Sequence, residues 1–194
     1  MEIHVLFKFA NNPYGGIEID TTSGSGNYRE LSPFVLGPID TYLPGIQSKN
    51  FENLWQFSKV YKEHVDEFGF PNDDWYKWRE KGWNNPKAIR YPMGKGIKPL
   101  FSHWNGENLD YITARKRIYA PIYAKYVTKT DSFKRLEELC HNSGQRIILR
   151  DYDAYNHLSL GMTLVNVINN PNRKCGHAFV LMMILTGVLE ECLK

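Results

Sequence analysis

Gln145-Arg146-Ile147-Ile148-Leu149-Arg150-Asp151-Tyr152-Asp153-Ala154-Tyr155-Asn156-His157 is the stretch on which the reading of the fold turns. Three consecutive apolar residues with strong β preference, bounded by Ser143-Gly144 before and a polar run after, predict a buried strand over 145–149. Polar residues at the exit of such a strand are placed to face a cleft. Two carboxylates, an arginine and a histidine within eight residues have the chemistry to orient a substrate and activate water. The same aspartates also suit a plain turn, where their side chains cap backbone amides.

The segments around this strand read mostly as helix. Thr130 is an N-cap for a helix with Phe133, Leu136 and Cys140 inward, ending near Gly144. From Asp110 to Val127, Tyr111, Ala114, Ile118, Tyr119, Ile122 and Tyr126 recur at helical spacing, with Pro121 expected to kink or divide the helix. Residues 177–192 are apolar nearly all round, which places a last helix at the centre of the core. Toward the N-terminus, Asn50 caps a helix whose Phe51, Leu54, Trp55 and Ser58 share a face, joined by Tyr61. A short helix follows over 73–81, and a long loop over 82–106. Residues 2–9 read as a strand and 16–22 as its partner, joined by the turn Asn11–Gly16, and 31–42 as an extended segment with tight bends. The fold class this predicts is α+β: a single mostly helical domain over 1–194 with a small antiparallel sheet. Residues 1–30 form an N-terminal β-hairpin and loop, and 31–194 the core.

Composition narrows the function classes. The 194 residues are 42% hydrophobic and 23% charged, an ordinary globular balance rather than a disordered one. Cys140, Cys175 and Cys192 are too scattered for a disulfide scaffold or a zinc site, and read as buried free thiols. No metal and no cofactor is expected. The first residues lack the pattern of a secretory signal, and the apolar stretch 178–189, interrupted by Thr186 and Gly187, falls short of the ~20 residues that span a bilayer. No membrane partner and a cytoplasmic location are the expectation. The net charge of +3 hides an asymmetry: residues 1–83 carry 8 basic and 12 acidic side chains, residues 84–150 carry 13 and 5. A basic middle third suits a polyanion such as a phosphate, nucleotide or nucleic acid, although a folded chain can mix these thirds in space.

Three further features carry possible chemistry. Glu52 lies in the first turn of the Asn50 helix, beside an apolar wall and with Gln56 at i+4; it reads either as a functional carboxylate or as a solvated partner of the helix dipole. Tyr91-Pro92-Met93-Gly94-Lys95-Gly96-Ile97-Lys98 pairs glycines with lysines, as in loops that cradle phosphates, but it is not a Walker motif and also suits an exposed basic loop. Arg115-Lys116-Arg117 is a solvated helix face or a phosphate contact.

Taken together these pieces resemble the NADAR (YbiA-like) superfamily over about residues 31–190. Leu31-Ser32-Pro33-Phe34 is similar to its Ser-Pro segment, and Glu52, Trp55, Gln56 and Lys59 fit its Glu–aromatic–Gln–Lys helix. Asp110-Tyr111, Arg115 and Lys125-Tyr126 resemble its Asp-Trp and Lys-aromatic pairs, with Tyr in place of Trp. Ser143-Gly144, the apolar strand, Asp151 and Asp153, then Asn172, Gly176 and Leu181-Met182-Met183, follow in family order. The chain departs from the pattern where no Trp-Gly follows the acidic cluster, where Arg150 takes the place of a Glu, and where the last helix lacks an Arg after its Met.

The resemblance implies cleavage of a ribosyl C1–N bond through an oxocarbenium-like state, which needs carboxylates to stabilise charge and to move protons. It implies Glu52, Asp151 and Asp153 as catalytic residues. It implies Trp55, Lys59, Lys95, Tyr111, Arg115 and Lys125 as substrate-binding residues, with Tyr111 stacking on sugar or base and Lys59, Lys95 and Arg115 holding a pyrophosphate. The substrate would be ADP-ribose or ADP-ribosylated nucleic acid, as in members that reverse guanine modification by DarT-type toxins. The setting implied is a phage-encoded counter to such a toxin in the host cytoplasm. Two other readings stay open: a non-catalytic inhibitor on a degenerate NADAR fold that binds ADP-ribose, DNA or the toxin protein, and an N-glycosidase of small phosphorylated ribosyl-amines.

Overall fold

The computed structural model describes residues 2–194, so Met1 of the expected hairpin lies outside the described residues. Its apolar stretch is the middle strand of a parallel sheet, with β1 (Ile3–Phe7) on one side of β8 (Ile147–Asp151) and β2 (Ile17–Asp20) on the other. Ile3 and Ile17 both sit opposite Ile147, so both neighbours run with β8. The expected N-terminal hairpin is therefore not formed. Residues 8–16 instead carry the chain back to the starting end of the sheet, so that β2 runs in the same direction as β1 and both pair with β8 rather than with each other. Every residue of β8 is buried, and a strand apolar on both faces belongs at the centre of a parallel sheet.

Arg150 fixes this crossover. Its guanidinium donates to the carbonyls of Phe7 (3.0 Å) and Ala10 (2.7 Å) and pairs with Glu18 at 2.9 Å. The Tyr14 ring stacks on His4 at 3.7 Å beside it. Arg150, read from sequence as a possible substrate-orienting group, is thus committed to the fold. His157 is buried against Phe179, and burial lowers its pKa.

The remaining elements surround the other face. β3 (Ile39–Asp40) and β4 (Gln47–Ser48) pair antiparallel, then α1 (Phe51–Gln56) leads into β5 (Lys59–Val60). α2 (Asp73–Trp83) is followed by β6 (Phe101–Trp104) and β7 (Glu107–Leu109), which extend an antiparallel ladder in the order β5-β6-β7. Antiparallel pairing is present, but in these small ladders and not in the sheet that organises the core. α3 (Tyr111–Ala114) passes through a π-helical turn (Arg115–Tyr119) into α4 (Ala120–Val127); α5 (Asp131–Asn142) precedes β8. The expected irregularity at Pro121 takes the form of that widened turn, which precedes the proline and makes room for its ring. α6 (Leu164–Ile168), α7 (His177–Leu185) and α8 (Leu189–Leu193) complete the chain.

Asn50 and Thr130 cap α1 and α5 as read, accepting from Asn53 N (2.8 Å) and Phe133 N (3.1 Å). α1 is shorter than its apolar face suggests, because the Ser58 hydroxyl bonds the Trp55 carbonyl as the chain turns into β5. The single last helix becomes two, broken at Gly187, whose φ of +73° is a left-handed value that glycine tolerates. α6 was not expected; a Thr163–Asn166 capping box starts this helix despite its β-branched residues. α7 is buried from His177 to Met183 and sits at the centre, against α4, β1 and β8. The three cysteines are free and buried. Among the described residues no helix is long and apolar enough to cross a membrane.

Gly82 shows how α2 is held against the end of α1. A Cβ at that position would overlap the Phe57 ring. Glycine inside a helix normally costs up to about 1 kcal/mol relative to alanine. Here the sign reverses, and Gly82→Ala should lower stability by about 1–3 kcal/mol in urea unfolding through overpacking. Unchanged or raised stability would show that α2 and Phe57 are less tightly apposed.

Candidate functional site

α1 and β5 place three polar side chains in a row along a buried floor. Asn50 starts the helix, so Glu52 and Gln56 fall one turn apart on the same face, and Lys59 enters from the strand three residues on. Glu52 Oε1 accepts from Gln56 Nε2 at 2.9 Å, and Gln56 Oε1 accepts from Lys59 Nζ at 2.7 Å. The amide is held in one orientation because it must donate at one end and accept at the other. Lys59 Nζ also lies 4.9 Å from the centre of the Trp55 ring. Glu52 is only 6% exposed, so the solvated first-turn reading is set aside. Burial pushes its pKa up, against the pull of Gln56, Lys59 and Arg90. Burial pushes Lys59 down to about 8, although Glu52 and Asp153 favour its charged form.

Asp153 forms the rim. Its Oδ1 pairs with Arg90 and, at 2.9 Å, with Lys174, whose Nζ also reaches the Tyr91 hydroxyl at 3.4 Å. Arg90, Asp153, Lys174 and Tyr91 are all partly open to solvent, above the buried Glu52–Gln56–Lys59 row. Asp151 lies beneath, fully enclosed. Its Oδ1 accepts from Asp153 N at 3.2 Å, and its Oδ2 lies 3.2 Å from His177 Nδ1 and 3.4 Å from Ala178 N at the start of α7. His177 Nε2 in turn meets the Thr21 carbonyl (2.9 Å) and hydroxyl (2.8 Å). The Tyr119 hydroxyl stands near both Glu52 and Asp151: burial raises its pKa well above the usual range, and these two charges add to it.

The structure therefore brings Glu52, Trp55, Lys59, Asp151 and Asp153 together, with Asp151 in a bracing position. Arg115 is buried behind the loop that carries Lys174. Its guanidinium donates to the carbonyls of Asn170 (2.7 Å), Ile168 and Arg173 and to the Tyr111 hydroxyl, and it stacks 4.1 Å above the Tyr111 ring. With these donors spent on the protein's own carbonyls, Arg115 shapes the loop rather than presenting a free phosphate ligand, and one face of Tyr111 is already covered. Lys95 is exposed, in no ion pair among the described residues. Lys125 lies over Tyr126, whose hydroxyl bonds Asp40, away from Glu52 and Asp153.

Arg90, Lys174 and Tyr119 are not among the candidates that the sequence offers. Tyr91 opens the glycine–lysine stretch and Arg90 directly precedes it, so the signal lay at the start of that stretch rather than at Lys95. Lys174 had no local pattern to mark it. Among the described residues no group of three or more His, Cys, Asp or Glu side chains is placed to hold a metal ion. Two open clefts of about 410 and 470 Å³ lie around Glu2, Gly144, Gln145 and Arg146, at the start of β8 and so at the opposite end of the strand from Asp151. The chemistry sits instead at the end of β8: a buried carboxyl and amine share an amide, beneath a carboxylate flanked by two cations.

The Lys59 amine should titrate near pH 8, readable from 13C shifts of the reductively methylated protein. Glu52→Gln removes an anion that supports the ammonium, so the midpoint should fall further. An ordinary lysine midpoint near 10.5 would contradict the buried placement.

No curated protein and no solved structure matches the chain. One family model does, over residues 10–161, a span that includes Glu52, Lys59, Arg90 and Asp153 and stops before Lys174. That match covers well over half of the sequence, and the chain belongs to this family, a family of unknown function (DUF6939).

Proposed function

We propose that this protein is a NADAR-like N-glycosidase that removes ADP-ribose from a nucleic-acid base, and that Glu52 is its acid. The observation that carries this reading is the meeting of Glu52 and Lys59 with Asp153, some hundred residues further along the chain, in one cluster of positions that the resemblance supplies. Burial makes the Glu52 carboxyl a weaker acid than an exposed one, the direction that suits a group which gives and takes a proton. In the step proposed, the ribosyl C1–N bond breaks with its electron pair leaving on the base nitrogen, which takes the Glu52 proton. Water adds at C1 and gives its proton to Asp153. The products are the free base amine and ADP-ribose. The Glu52 carboxylate formed in this way stabilises the positive charge at C1. Arg90 and Lys174, already gathered on one carboxylate, are suited to phosphate oxygens, with Lys59 deeper. On this reading the fold is NADAR-like, the setting is the host cytoplasm, and the activity counters a DNA ADP-ribosyltransferase toxin.

A second reading has its own support. Asp151 is consumed by His177 and α7, and Asp153 is shared by two cations, so of these three carboxyls only Glu52 has neither a histidine nor a cation in direct contact. A degenerate site that binds ADP-ribose without turnover would look like this.

Incubating the protein with an oligonucleotide carrying ADP-ribosylated guanine, followed by mass analysis, separates the two. Hydrolysis releases ADP-ribose, and Glu52→Gln should slow it by about 10²–10⁴-fold. Equal rates for the variant and the wild type would remove Glu52 from the chemistry. Tight ADP-ribose binding with no release would select the inhibitor.

A further inference from the structure

We infer that two neighbouring surface loops form a self-complementary face that docks a second copy of this chain. The first loop is acidic. Glu63, Asp66, Glu67, Asp73 and Asp74 fall within 63–74 with no Lys or Arg among them, and all five are exposed. At its tip Phe68 is 77% exposed and Phe70 60%. This tip is an ordered turn. Phe68 N and Phe70 N both donate to Asp66 Oδ1 at 2.9 Å, Asp66 N donates to Phe70 O at 2.8 Å, and Val65 bridges Pro71. The second loop is basic. Residues 86–100 hold Lys87, Arg90, Lys95 and Lys98 and no carboxylate, with Ile97 and Leu100 more than half exposed and Tyr91 41% exposed.

Four large apolar side chains held out into water on these two loops are exposed apolar surface of the kind that marks an interface. The charges name the partner. Lys87, Lys95, Lys98, Glu63, Asp66, Glu67 and Asp73 make no ion pair among the described residues, so neither loop is neutralised within its own chain. Both loops leave the same end of the β5–β6 pair, where Leu100 N donates to Val60 O at 2.8 Å. Loops of opposite charge that leave the same end of one strand pair can be self-complementary under a two-fold rotation. The acidic tip of each copy then meets the basic loop of the other, and both contacts form at once. A nucleic acid would be repelled by the acidic tip. Because the basic loop carries Arg90 and Tyr91, the docked copy would sit beside the Arg90–Asp153–Lys174 rim.

Sedimentation velocity of the full chain tests this without reference to any substrate. At about 100 µM, a concentration that reveals even a weak dimer, the wild type should sediment as a dimer that dissociates on dilution and with rising salt. Phe68→Ser/Phe70→Ser, Glu63→Lys/Glu67→Lys and Lys95→Glu/Lys98→Glu should each give a folded monomer. These are exposed side chains with no hydrogen bond of their own, and circular dichroism checks the fold. An equimolar mixture of the two charge-reversed variants should recover the dimer, because each reversed loop then faces its opposite. A monomeric wild type at this concentration, a phenylalanine variant that dimerises like the wild type, or a mixture that stays monomeric would overturn the inference.

Discussion

A carboxylate buried at the end of a buried strand has to be met from every side, and the way Asp151 is met arranges most of this molecule. It accepts from the amide two residues ahead, faces the start of α7, and lies against His177. His177 reaches on to Thr21 at the end of β2. One side chain thereby locks the end of the central strand, the end of an outer strand and the start of the central helix. The packing leaves no slack, since a Cβ at Gly176 would collide with Asp151 Oδ2. The turn braced by Asp151 is what puts Asp153 on the rim, and the loop leading to Gly176 is what brings Lys174 to it.

The two faces of β8 thus divide the work. Arg150 faces the crossover and saturates its guanidinium on Phe7, Ala10 and Glu18, while Asp151, one residue later and on the opposite face, secures the helical side. A strand alternates its side chains, so one buried cation and one buried anion can each be satisfied by a different layer. Neither is then free to act on a ligand. The titratable groups left for chemistry are those whose partners are themselves mobile or neutral: Glu52 through a glutamine amide, and Asp153 through long cationic side chains.

What sequence made legible follows from how local each cause is. The caps at Asn50 and Thr130, the strand after Gly144 and the break expected near Pro121 rest on interactions within a few residues, and the structure keeps them. The direction of the sheet was not legible, because turn residues such as Asn11–Gly16 serve a crossover loop that carries the chain back to the start of the sheet as well as they serve a hairpin. The apolar character of both faces of β8 was the one sign of a middle strand. In the site, Glu52 and Trp55 were readable because helical spacing ties them to one turn of α1, and Lys59 because it follows three residues after that helix. Arg115 and Lys125 were misplaced for the converse reason: a basic residue on a helix says nothing about which carbonyls its neighbours will turn toward it. Lys174 could come to Asp153 only through the path of a loop held by Arg115.

The charge asymmetry along the chain takes on a different meaning once the chain is folded. The basic excess of the middle third is not gathered around one polyanion site. Arg115 and Arg150 are spent inside on carbonyls, Arg90 alone reaches the rim, and Lys87, Lys95 and Lys98 stay on an outer loop. The acidic excess before it is likewise divided, between a single buried Glu52 and an exposed cluster around Phe68 and Phe70. Desolvation explains the division. A buried charge is retained only where it has partners or can change its protonation state, as Glu52 and Lys59 do, whereas exposed charges of one sign can accumulate because water screens them. Exposed groups of like sign are therefore a poor guide to the buried site, and a better guide to what the surface can attract.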